Sequence, residues 1–446
     1  MTHIVLVNAW HDDNKGDSAI TDGILRLAAV AHPDATVTVV GLTENPDPHT
    51  DGMRHVAHNH PDAILRPTPM PSELRGQSRS RPAVDVPIWF GRLVGPAAAA
   101  AAGRVPARYA RLFADADLVV GVGGSNLYTD ASVQPMVSLA RLFTLSAPIR
   151  AATRMRIPTV LLGHTLGPFP ADRPGARRLA RHMLADADRV VVRDAASVTV
   201  AEELGLGTAE LAPDMAYALT PNLSPRVAAI IAGLPGAVSR TAVIALRSHP
   251  SLSAKANSRL VAEIVDAAQA LCRTGYIDRI LVVAHTLGPT PIEDDRPMSD
   301  RLYTSLTARA VPATYLDADL SPTELAALYG AAGAMIAVRL HAAVLATLSG
   351  TPTFAIAYFS SKSHGVMASS GLDDAVGDFA SVTAADITAA LTRQLSSTTA
   401  RRDLADIAAG HHATLTSRAP EWFGTRESCS PGIAFPSADH LSTSND

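Results

Sequence analysis

The chain predicts an α/β protein of two domains, each built on a buried parallel sheet. Three observations carry this. Short apolar runs of strand length recur along it and alternate with longer Ala- and Leu-rich stretches that fit helices. The runs stop at Gly, His, Arg or Asp, so apolar strand bodies end at polar edges, which is where open α/β sheets bind ligands. At 446 residues the chain exceeds one typical core and accommodates two.

In chain order, strand His3 to Val7 leads through a loop to a helix from Asp17 to Ala31, with Asn14-Lys15-Gly16-Asp17 forming a flexible turn and N-cap. Lys15 projects beside backbone N–H groups there. Either plain capping or a ligand edge fits, and the spacing matches neither a dinucleotide fingerprint nor a P-loop. Strand Thr36 to Gly41 follows. The Pro-, His- and Arg-rich passage beyond it is expected to lack regular structure, and with the Ala-rich segment after it forms an insertion from about 55 to 111. The pattern resumes with Asp117 to Val122, which ends in Gly123-Gly124-Ser125-Asn126, where backbone can approach a ligand. Pro158 to Gly163 ends in His164, Arg189 to Arg193 ends in Arg193-Asp194, and a short strand ends at Asp214. Four successive strand ends are thus polar, as a cleft edge requires.

Thr220 to Gly236 has linker character, which sets a first domain at 1–219 and a second at 237–395. The second runs through strand Ala242 to Arg247, helix Leu260 to Arg273, strand Ile280 to His285, a polar loop with Asp294-Asp295-Arg296, strand Ala313 to Leu316 and helix Pro322 to Ala332. A βαβ unit then spans Ala334 to Gly365. Its first strand stops at Arg339-Leu340-His341, its helix ends at Gly350 before Pro352, and the loop after its second strand carries Ser361, Lys362 and His364. Cations and imidazoles converging on a helix start make a site for an anion. Lysine is scarce here, with only Lys15, Lys255 and Lys362, which singles out Lys362. Closing helices follow, with 396–427 expected to fold back over the first domain and 428–446 to be disordered.

Composition narrows the partners. With 47% hydrophobic and 18% charged residues and a formal net charge of −4, the chain has no basic excess for nucleic acid, and small molecules are expected. Cys272 and Cys429 offer neither metal-ligand spacing nor a disulfide framework, which points to a reducing cytoplasm. No export leader is expected ahead of the first strand. Adjacent carboxylates at Asp294 and Asp295 lack further ligands at fixed spacing, so no metal is expected. The segment Ile88 to Phe113 is the most lipid-like, but Arg92, Gly95, Pro96, Arg104, Pro106, Arg108 and Arg111 keep it from spanning a bilayer. Its aromatic and Arg content leaves peripheral membrane contact open.

Several stretches together resemble the polysaccharide pyruvyl transferase family: NKGDSAI, ADLVVGVGGSNL, GHTLGPF, VVRDAASV with LAPDMAYAL, and AVRLHAAVLATLSGTPTFAIAYFSSKSHGVMASSGL. The likeness covers nearly the whole chain, and the Asp294 to Arg296 loop is most similar to members acting on exopolysaccharides such as colanic acid. The resemblance implies two Rossmann-like domains facing across a cleft, as in GT-B glycosyltransferases, with phosphoenolpyruvate as donor substrate and no further cofactor. It implies donor contacts from Arg193, Arg339, Leu340 and His341, and a sugar or oligosaccharide acceptor that a lipid could carry. The product would be a pyruvate ketal. The insertion departs from the family pattern and bears on acceptor identity.

The residues suit that chemistry. A donor carrying a carboxylate and a phosphate needs guanidinium forks, a lysine or helix N-termini. Ketal formation needs a proton delivered to carbon and protons taken from two hydroxyls, work suited to imidazole. His341 is the leading acid/base, Lys362 the phosphate partner with Ser361 beside it, and Asp17 a further catalytic candidate. Lys15, Gly123, Gly124, Ser125, His164, Asp214 and His364 complete the expected cleft. The alternatives are a nucleotide-sugar glycosyltransferase on the same architecture and a non-catalytic carbohydrate-binding protein.

Overall fold

The computed structural model describes residues 1–42, 52–70, 91–99, 103–129, 134–170, 174–247, 253–357, 360–369 and 372–424. Its first sheet has seven strands, β1 His3–Ala9, β2 Thr36–Gly41, β3 Ile64–Pro67, β4 Leu118–Gly124, β5 Thr159–His164, β6 Arg189–Val192 and β7 Glu210–Leu211, in the order β3-β2-β1-β4-β5-β6-β7. The second has six, β8 Thr241–Ala245, β9 Arg279–Val283, β10 Ala313–Leu316, β11 Ala334–Ala337, β12 Thr353–Ala357 and β13 Val376–Asp378, in the order β10-β9-β8-β11-β12-β13. Every pairing is parallel. In both sheets the order reverses beside the first strand, between β1 and β4 and between β8 and β11. A crevice opens beyond the strands' carboxyl ends at such a point.

Burial explains why these runs are strands. All residues of β4, β5, β8, β11 and β12 are buried, as expected for sheets covered by helices on both faces. Their side chains feed three apolar clusters, and the largest of these draws on both domains. Gly123 lets β4 and β5 pack closely, since a Cβ there would lie 2.3 Å from the Gly163 carbonyl oxygen.

The passage after β2 is not without regular structure. It contributes helix α2 (Arg54–Asn59) and the edge strand β3. Ile64, Leu65, Arg66 and Pro67 alternate between exposed and half-buried, so no apolar run marks them, and pairing with β2 makes the strand. A proline is tolerated at such an edge. Further helices cover 91–99 and Ala107–Leu112, while 71–90 lies outside the described residues. The linker candidate at 220–236 contains a Ser224-capped helix, Pro225–Gly233.

Helix Ala400–Trp422 crosses back onto the first domain. Arg418 and the Trp422 indole N–H both reach Glu210, Arg189 pairs with Glu421, and His32 Nε2 meets the Phe423 carbonyl at 2.8 Å. The expected disordered tail at 428–446 lies outside the described residues. Among the described residues no helix is long and apolar enough to cross a membrane.

Candidate active site

The site is assembled by facing strand ends. Helix α1 (Lys15–Ala31) starts just after β1, capped by Asn14, whose carbonyl side chain accepts from the Gly16 N–H. Asp17 in its first turn is held by the Asn14 amide at 2.8 Å and lies against the end of β4, where a Cβ on Gly124 would be 3.0 Å from Asp17 Oδ1. Ser125 follows directly. Arg193 leaves the end of β6, and Asp214, beyond β7, caps the short turn Met215–Ala218. From the other domain, Arg339 and His341 leave the end of β11 at the start of helix Leu340–Leu348.

These groups meet around one guanidinium. Arg193 Nη1 donates to Asp214 Oδ2 (2.7 Å) and lies 3.2 Å from His341 Nε2. Its Nε donates to Thr165 Oγ1 (2.9 Å) and its Nη2 to Ser125 Oγ (3.2 Å). Thr165 in turn donates to Asp194, which caps helix Ala195–Leu204. His341 Nε2 is also 3.4 Å from Asp214 Oδ2. A neutral ring therefore accepts from Arg193 through Nε2, and a ring protonated there turns its N–H toward Asp214.

Electrostatics follow from depth. Burial raises the Asp214 carboxyl, but the Arg193 charge and His341 overcome it and hold Asp214 well below the usual carboxylate range. Asp17 is different. Burial lifts it above the usual carboxylate range, and the more distant charges of His341, Arg193 and Arg339 only partly offset this. His164 is fully buried behind the cluster, its Nε2 against the Gly121 carbonyl at 3.1 Å, and burial brings it down to about 4. It stays neutral at physiological pH.

Arg339 lies beside this cluster in the second wall, forked onto Asp295. Leu340 opens the helix, half-buried. Lys15 is carried elsewhere. Its ammonium meets Asp319, His55 Nε2 and the Asp12 carbonyl, and Arg54 joins Asp319 to Asp13, so these charges stitch the first domain to the second. Burial lowers the Lys15 ammonium despite Asp319. His364 is partly exposed and pairs with Asp378 at 3.2 Å. Ser361 and Lys362 ride on helix Ser360–Ser369, with side chains outside the described residues. That helix reaches the cleft, since a Cβ on Gly365 would be 3.1 Å from Asp194 Cβ. Among the described residues no group of three or more His, Cys, Asp or Glu could hold a metal ion.

Reading the sequence missed Thr165, Asp194, Asp295 and His285 as site residues. His285 is buried after β9, its Nδ1 3.0 Å from the Tyr329 hydroxyl. Burial and the charges of Arg339, His341 and Lys15 keep it neutral. One signal was available: the pentapeptide His-Thr-Leu-Gly-Pro occurs at 164–168 and again at 285–289, once per domain.

A search of curated proteins returned no match. Solved structures resemble the fold at low identity. A putative UDP-N-acetylglucosamine 2-epimerase from Listeria monocytogenes aligns at TM-score 0.57 and 11% identity over 93% of this chain and 94% of that one. The UDP-GlcNAc 2-epimerase from Neisseria meningitidis, bound to UDP-GlcNAc, aligns at 0.55 and 10% over 95% and 99%. A UGT transferase from Siraitia grosvenorii in complex with UDP aligns at 0.54 and 12% over 95% and 100%. These likenesses establish the GT-B architecture and nothing finer. The family model for polysaccharide pyruvyl transferase matches residues 14–361, from the Asn14 cap through both walls of the cleft to the start of the Lys362 helix, and the chain belongs to that family.

Proposed function

We propose that the chain transfers the pyruvyl group of phosphoenolpyruvate to two hydroxyls of one sugar in a polysaccharide or glycoconjugate precursor. The observation that carries this reading is the contact of Arg193 and Asp214 from one domain with His341 from the other, beside Arg339. Two guanidinium groups suit a donor with two anionic ends, and the carboxylate under His341 suits an imidazole that cycles its charge. His341 protonates the donor's methylene carbon, which turns C2 into an electrophile. One sugar hydroxyl adds to C2 and gives up its proton. The C2–O bond to phosphate then breaks, and the second hydroxyl adds at C2 and loses its proton. Of the two hydroxyl protons, one balances that delivered to carbon and the other leaves with phosphate. Asp17 is a second proton carrier for the same steps, and Lys362 an electrostatic partner for the departing phosphate. The acceptor is a sugar or oligosaccharide, free or lipid-linked, and the reaction is cytoplasmic.

A second reading, nucleotide-sugar transfer, draws on the UDP and UDP-GlcNAc found in the structural neighbours. One experiment separates the two. Phosphoenolpyruvate should raise the melting temperature, and with an acceptor panel should release phosphate, while UDP-sugars do neither. In His341→Gln, turnover should fall by about 10²-fold or more with donor affinity near wild type. A shift with UDP-sugars and none with phosphoenolpyruvate sinks the proposal.

A further inference from the structure

Asp295 stands out among carboxylates away from the Arg193 cluster. It is 1% exposed, in the loop after β9, and its two oxygens take one edge of Arg339. Arg339 Nε donates to Oδ2 at 3.0 Å and Oδ1 at 3.2 Å, and Nη2 donates to Oδ1 at 2.7 Å. Nη2 also donates to the Glu293 carbonyl at 2.6 Å, and the Thr286 N–H holds Oδ2 at 3.0 Å. The carboxylate is itself fixed, so the guanidinium plane is fixed with it.

Resting on the pyruvyl-transfer reading above, we infer that Asp295 is a positioning residue that sets Arg339 in the orientation that receives the anionic donor, and that it acts through that guanidinium alone. Arg339 occupies the N-cap position of helix Leu340–Leu348 without capping it, so its side chain is given over to the fork. A long side chain immobilised before the ligand arrives has no rotamer freedom left to lose on binding. The first domain repeats the device. Arg193 is fixed by Asp214 and Thr165 beside the first His-Thr-Leu-Gly-Pro turn, and Arg339 by Asp295, whose Oδ2 accepts from the Thr286 N–H of the second. Each wall of the cleft thereby presents a guanidinium whose direction is already set.

Electrostatics alone predicts the opposite sign. Deleting a negative charge next to an anion site should tighten an anion, whereas losing the fork should loosen it. The test measures phosphoenolpyruvate Kd and Tm for wild type, Asp295→Asn, Arg339→Lys and the double variant. Asp295→Asn should weaken binding by about 10-fold or more, and the double variant should bind no worse than Arg339→Lys, because a residue acting only through its partner adds nothing once that partner is changed. Unchanged or tighter binding in Asp295→Asn overturns the inference, as does additivity in the double variant. Asp295→Glu keeps the charge but moves the fork by one methylene, and serves if Asp295→Asn does not fold. It should weaken binding at a Tm near wild type, and wild-type Kd there is equally fatal. Failure of wild type to bind phosphoenolpyruvate overturns the functional reading itself, and the inference with it.

Discussion

Gly16→Ala is the sharpest perturbation the structure offers, because it strikes the proposed acid/base without touching its chemistry. A Cβ at position 16 would sit 2.3 Å from His341 Nδ1, 2.8 Å from Cγ and 3.0 Å from Cβ. The clash includes the root of the ring, so a swing of its tip does not relieve it. Non-bonded heavy atoms rest about 3.5 Å apart, which requires a shift of roughly 1 Å. Nε2 now lies 3.2 Å from Arg193 and 3.4 Å from Asp214. An added displacement of roughly 1 Å removes both contacts, and misplacement on that scale can cost about 10²-fold in turnover. Stability should fall by roughly 0–3 kcal/mol. Overpacking costs about 1–3 kcal/mol, offset by up to about 1 kcal/mol for Ala over Gly in a helix. Phosphate release at saturating phosphoenolpyruvate, read beside a thermal melt, checks both halves. A Gly16→Ala protein that turns over at the wild-type rate refutes the reasoning, because the ring would then either not be pinned or not be used.

His164 gives a pH signature. Its folded value of about 4 lies below the ordinary 6.5, so the unfolded chain binds the extra proton first, and stability is lost as pH falls from 6.5 to 4, by about 3 kcal/mol in total. His164→Gln keeps a donor for the Gly121 carbonyl but cannot titrate, so its urea stability should fall less over that window; a loss as steep as wild type excludes His164 as the cause. Trp422→Ala should cost about 3–5 kcal/mol by emptying a fully buried site and breaking the bond to Glu210. A change under about 1 kcal/mol in equilibrium unfolding would mean that the closing helix is not part of the folding unit.

Much of the fold was legible because buried parallel strands announce themselves as apolar runs with polar ends. Strands such as Ala334–Ala337 and Thr353–Ala357, buried throughout, fall where such runs put them. Strand β3 did not, since its four residues hold no continuous apolar run and owe their conformation to β2. At the site, Arg193, Arg339 and His341 were visible as residue types at strand ends. Their couplings were not. That Asp214 would sit under both Arg193 and His341 depends on two domains closing on one another, a relation between positions far apart in the chain. Lys15 shows the same limit from the other side, since a cation at a helix start looks free until Asp319 arrives from the second domain.

The closing helix orders events during synthesis. Leu415, Ala419, Trp422 and Phe423 are buried in the cluster that holds Ile20, Ile24 and Leu27 of α1. Those α1 side chains leave the ribosome some four hundred residues before their cover does. The first domain therefore waits, with one apolar flank open, through translation of the whole second domain. Its completion comes after every named residue of the cleft has been translated, so a chain stalled before residue 400 presents an exposed hydrophobic face to chaperones and proteases rather than a finished half-enzyme.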